Sequence, residues 1–76
     1  MRPSGDSNRL DPDARRVLAL AATGLLSDEV AARLAMAPEE VPRHLVRAIL
    51  SLGARSKLEA IAIAVREGLI DPPPAP

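Results

Sequence analysis

At 76 residues the chain suffices for one small domain, and with no aromatic residue its core must come from Leu, Ile, Val, Ala and Met. No cysteine and a lone His44 exclude a disulfide framework and a cysteine-based metal site, and no apolar run approaches the ~20 residues that span a bilayer. The formal net charge is zero, yet residues 41–58 hold no acid and carry Arg43, Arg47, Arg55 and Lys57, while Asp28, Glu29, Glu39 and Glu40 precede them with only Arg33 among them.

Residues 1–9 (MRPSGDSNR) are polar and aperiodic, which predicts a disordered arm or linker. Arg2 has no apolar stretch behind it, so this is no secretory signal, and a cytoplasmic protein is expected. Asp11 as N-cap and Pro12 at the first helical position predict a helix over 12–23, with Val17, Leu18 and Ala21 at helical spacing and Gly24 as its stop. Ser27 is read as the cap of a second helix over 28–35, which places Val30, Ala31 and Leu34 on one face. A third helix over 39–52 carries the stripe Val41, Leu45, Ala48, Ile49 and Leu52 and ends at Gly53. Pro42 constrains its start. Had the helix begun at Pro38, the proline would sit in its interior at a cost of about 3 kcal/mol. A late start, with Pro42 in the first turn and Glu39 or Glu40 as cap, avoids this. Ser56 and Glu59 form an S-x-x-E capping box for a fourth helix over 57–67, in which Leu58, Ile61, Ala62 and Val65 follow. Gly68 ends it, Leu69 and Ile70 fold back onto the core, and residues 71–76 (DPPPAP) form an extended tail.

A short amphipathic helix, a turn of a few residues and a second amphipathic helix make a helix-turn-helix, whose second helix lies in the major groove in DNA-binding versions. Residues 25–57 (LLSDEVAARLAMAPEEVPRHLVRAILSLGARSK), with LDPDARRVLALAATGL before them and GARSKLEAIAIAVREGLI at the end, resemble the LuxR-type, or GerE-type, helix-turn-helix domain found at the C-terminus of many bacterial transcription regulators. The resemblance covers residues 10–70. It implies an all-α, four-helix bundle that binds duplex DNA as a homodimer through its last helix and needs no cofactor. Further partners of such a regulator would be RNA polymerase or a regulatory protein, and a sensor or receiver domain would lie outside this chain unless it is a standalone regulator. The family's Thr-Val-Lys-x-His reads Glu40-Val41-Pro42-Arg43-His44 here, matching at Val41 and His44. Ser51 precedes Leu52-Gly53 where the family tends to have Lys, and Ser27-Asp28 stands for an Asn-Lys pair, so that Ser27 can still donate to phosphate while Asp28 repels it.

Arg43 and Arg47 are four apart, on the face opposite Leu45 and Ile49, a spacing that suits two arginines entering one groove, where bidentate contact to guanine is the commonest specific pairing. Arg55 and Lys57 match family positions that touch the DNA backbone. His44 is read as a structural or phosphate-bonding histidine. The plain alternative for all of these is a solvated basic face without a ligand. In the fourth helix EAIAIAV is apolar on more than one face, which assigns Ala60, Ile61 and Ala64 either to a dimer contact or to burial against the first and third helices. There is no nucleophile–base–acid set, no phosphate-binding glycine loop and no metal spacing, and Ser56 is accounted for by its cap, so an enzyme is not expected. The rival reading is a degenerate helix-turn-helix, a protein-interaction or dimerisation module in which Asp28, Glu40 and Pro42 have retired the DNA surface.

Overall fold

A computed structural model describes residues 10–73. Four helices follow one another, α1 (Pro12–Ala22), α2 (Ser27–Leu34), α3 (Glu40–Ser51) and α4 (Lys57–Arg66), and the described residues contain no strand. The expectations for residues 1–9 and 74–76 lie outside the described residues. Residues 71–73 are exposed and irregular.

Each helix is held at its start by a different device. The Asp11 carboxylate accepts the N–H of Ala14 at 2.8 Å, and Pro12 at the first helical position lacks only an N–H that would have no partner there. In α2 the expected cap is displaced by one residue. Ser27 is the first helical residue, and Leu26 stands at the cap position with no side-chain acceptor. Only the return half of a capping box forms, in which Glu29 Oε1 accepts the Leu26 N–H at 2.8 Å. At α4 the Ser56 hydroxyl accepts the Glu59 N–H at 3.1 Å as the S-x-x-E spacing predicts, while Glu59 reaches one residue further back, to the Arg55 N–H at 2.6 Å.

The third helix starts as late as Pro42 demands. Two i→i+3 hydrogen bonds, Glu40 N–H to Ala37 O at 2.9 Å and Val41 N–H to Pro38 O at 3.2 Å, wind a tight turn ahead of it. Pro42 is then the third helical residue, where no intrahelical bond is lost.

α3 packs against all three other helices, most extensively against α1, whereas α2 and α4 do not meet. The interior accordingly has two lobes. One gathers Leu10, Ala14, Leu18, Ala48, Leu52, Ala60, Ala64, Leu69 and Ile70, and the other Val17, Val30, Ala31 and Val41; Leu45 packs against both. Leu69 and Ile70 do fold back, with the Leu69 N–H on the Ala64 carbonyl at 2.8 Å. The buried face of α4 differs from the expected one. Ala60 and Ala64 are wholly buried while Leu58 is 76% exposed. Alanines one turn apart let the α4 backbone approach its neighbours closely, and the larger Ile61 and Val65 pack beside them, half-buried.

Glycines of positive φ follow α1, α3 and α4, but α2 ends on Ala35 at φ 56° and ψ 46°. A left-handed alanine crowds its Cβ against its own backbone, at about 1 kcal/mol or somewhat more. Ala35 is exposed and contributes no core packing. Ala35→Gly is therefore expected to raise stability by about 0.5–1 kcal/mol, since the flexibility it adds to the unfolded chain offsets part of the relief. In a domain of this size that is a gain of several degrees in a thermal melt followed by circular dichroism.

Candidate nucleic-acid interface

The core fixes which side of α3 is left over. Val41, Ala48 and Leu52 are buried and Leu45 and Ile49 half-buried, so Pro42, Arg43, Val46, Arg47, Leu50 and Ser51 share the open side. Two of these are large and apolar, Val46 at 54% and Leu50 at 73% exposure. This second apolar row is not among the residues that the sequence alone marks as functional, which are the basic ones. Its signal was present, because Pro42, Val46 and Leu50 recur every fourth residue, outside the stripe assigned to the core.

Arg43 and Arg47 lie on this one side, as expected, and together with His44 and Glu40 they surround a shared depression. Arg47 is engaged: its Nη1 donates to Asp11 Oδ2 at 3.2 Å, linking α3 to the cap of α1. At 62% side-chain exposure for the arginine this pair is of the surface kind, worth about 0–1 kcal/mol, and an arginine held so weakly is free to exchange partners. His44 is half-buried, and its Nδ1 is shielded from solvent with no hydrogen-bond partner among the described residues.

The other expected contacts sit at the starts of neighbouring helices. Ser27 and Asp28 are exposed in the first turn of α2. Lys57 is exposed at the first position of α4, where the helix dipole disfavours a cation. Arg55, also exposed, lies just ahead of it with Nη2 at 3.6 Å from Glu59 Oε2. The carboxyl of Glu59 is held below the ordinary glutamate range, first by the Arg55 N–H and then by the Arg55 side chain. The Glu40 carboxylate accepts the Ala37 N–H at 3.1 Å, so a negative charge belonging to the protein sits at the entrance of α3. Of the three residues expected at a dimer contact, Ala60 and Ala64 are enclosed by the protein's own core. Of its apolar residues α4 leaves Leu58 and Ala62 exposed, with Ile61, Ile63 and Val65 half-buried.

Two proteins, from Mycobacterium bovis and Mycobacterium tuberculosis, each named "Putative HTH-type transcriptional regulator", are 33% identical to this chain over 67 residues. The match takes in 88% of this chain but only 8% of each relative. No family model and no solved structure matches. Both relatives are named as regulators of transcription and not as enzymes, and the four helices of the described residues, with no strand among them, fit a small helix-turn-helix bundle. No helix among the described residues is long and apolar enough to cross a membrane.

The Asp11 carboxyl is held below the ordinary aspartate range, first by the Ala14 N–H and then, against some desolvation, by Arg47. A lowered folded-state pKa contributes stability that is full above the unfolded value, about 4, and is lost as pH falls through the folded one. Asp11→Asn keeps an acceptor for the cap and removes the charge. At neutral pH it is expected to change stability by less than about 1 kcal/mol, and below about pH 4 to make the acid fall of the melting temperature shallower than in the parent chain. Melting curves of both forms between neutral and acid pH check this.

Proposed function

We propose that this chain is a sequence-specific DNA-binding domain of the LuxR type, acting in bacterial transcription regulation, with α3 in the major groove. The observation that carries the reading is the open side of α3. It is a helix supported on three others, its exposed residues include Arg43 and Arg47, and no acid lies between residues 41 and 58. Arg43 and Arg47 read base edges, Arg47 after leaving Asp11 for the duplex. Ser27, Arg55 and Lys57 touch phosphates, and His44 orients the start of the helix or bonds a phosphate. The placement of Lys57 supports this, because a lysine at a helix start costs stability and is better explained by an anionic partner. Similarity to two regulators named as helix-turn-helix proteins points the same way.

One observation favours the rival, a protein-interaction module on the same scaffold. The N-terminus of a recognition helix commonly helps to hold phosphate, and here Glu40 already brings a carboxylate to that end. Titration of a labelled random duplex at low and then rising salt separates the two. On the DNA reading the parent chain binds, Arg43→Ala costs about 1–3 kcal/mol of specific affinity, and Lys57→Ala weakens all sequences alike while lowering the salt slope by about one. Glu40→Thr combined with Pro42→Lys, which removes a repulsive charge and adds an attractive one, is expected to tighten non-specific binding. A parent chain that binds no duplex at low salt, beside a double variant that does, would establish the interaction module instead.

The proposed dimer uses the outer side of α4, Leu58, Ile61 and Ala62, and not the two buried alanines. Ala62→Glu is expected to leave the melt of the dilute, monomeric chain unchanged and, at high concentration, to shift sedimentation from dimer to monomer. Ala60→Glu, which forces a charge into the core, is expected to unfold the domain. A chain that sediments as a monomer at high concentration, with or without Ala62→Glu, would overturn this assignment.

A further inference from the structure

The row Pro42, Val46 and Leu50 has no role in the contacts assigned so far. All three are exposed on the open side of α3, flanked by Arg43 and Arg47. Two large apolar side chains left in water on one helix face ask for an apolar partner, and their setting narrows what it is. The flanking charges are cationic, so the partner is anionic overall. The row has no aromatic residue, the usual anchor of a protein–protein contact, and three aliphatic side chains fall well short of the ~800 Å² that each partner of a stable protein interface covers. A polyanion that offers isolated methyl groups fits better. The major groove presents one at every thymine, on C5 of the base, and apolar side chains read it by contact.

We propose that Val46 and Leu50 are specificity-determining residues that recognise the 5-methyl groups of pyrimidines in the major groove, next to the bases read by Arg43 and Arg47. The inference rests on the DNA-binding reading and deepens it, because it names the base feature that is selected. Val46 and Leu50 are one helical turn apart, about 6 Å along the axis. Bases along one strand are spaced about 3.4 Å, so the two methyl groups lie no more than about two base pairs apart when the helix runs along the groove.

The experiment begins with selection of bound sequences from a random duplex pool by the unmodified chain. In the selected site each thymine is then replaced in turn by deoxyuridine, which removes the methyl group and leaves the base pair intact. Binding is expected to weaken about three- to five-fold at one or two positions, the effect of one buried methyl group, and not elsewhere. The methyl sensitivity should disappear at one of these positions in Val46→Ala and at the other, where there are two, in Leu50→Ala. Both side chains are exposed, so the variants keep the fold, as circular dichroism would verify; the deoxyuridine series on the unmodified chain stands without them. If the chain binds its selected duplex and no thymine is sensitive, or if the sensitivity survives in both variants, the assignment to Val46 and Leu50 is overturned while the DNA-binding reading stands. If no duplex is retained from the pool at low salt, the DNA-binding reading itself fails, and this inference falls with it.

Discussion

Everything in this domain hangs on the contact between α1 and α3. These two helices share the most extensive packing, and each of the others is fastened to both. Small residues make the approach close, since Ala14 on α1 and Ala48 on α3 are wholly buried in the same lobe as Leu18. Leu45 reaches from α3 into both lobes, so the two halves of the core are joined through the helix that also presents the candidate interface. The orientation of Arg43, Val46, Arg47 and Leu50 is thus set by the buried side of their own helix. A cavity beneath Leu45 or Ala48 would loosen the outer face as well as the fold.

A second constraint is the pair of prolines at the start of α3, Pro38 in the turn before it and Pro42 in its first turn. Pro42 forbids an early helix start, and the i→i+3 turn over residues 37–41 satisfies the backbone that a longer helix would have used. The entrance of α3 then needs acceptors, and Glu40 supplies one to the Ala37 N–H. The same carboxylate that steadies the start of the helix opposes an incoming phosphate. Local stability and anion binding compete at this residue, and the two functional readings divide there.

The surface is economical in a comparable way. Asp11 caps α1 with one carboxylate oxygen and meets Arg47 with the other, and Glu59 serves the Arg55 backbone with one oxygen while its second lies near the Arg55 side chain. Four of the acids that look from composition as though they cancel the basic segment, Asp11, Glu29, Glu40 and Glu59, are bonded at helix starts, and Arg47 and Arg55 sit beside two of them. The pairs are exposed and weak, so they shape the resting surface without fixing it.

Much of the fold was legible because its signals are local. Asp11–Pro12, Ser56 with Glu59, the glycines after α1, α3 and α4 and the position of Pro42 each act within a turn or two of chain, and they placed four helices within a residue or so of where they lie. Where the signal was weak, reading failed by one step. Ser27 looked like a cap, but Leu26 takes that place because Glu29 holds its N–H, and nothing marks Ala35 as a left-handed stop. What only the tertiary structure decided was which face of each helix is used. In α4 every side chain of residues 60–65 (AIAIAV) is apolar, so periodicity cannot choose among them. Packing chose Ala60 and Ala64, because small side chains let the helix sit close, and left Leu58 outside. In α3 the core took one apolar row and turned the other, Val46 and Leu50, to the surface beside the arginines. The sequence by itself determined where helices begin and end, since that is set by hydrogen bonds between near neighbours; which side faces inward depends on contacts between residues far apart in the chain.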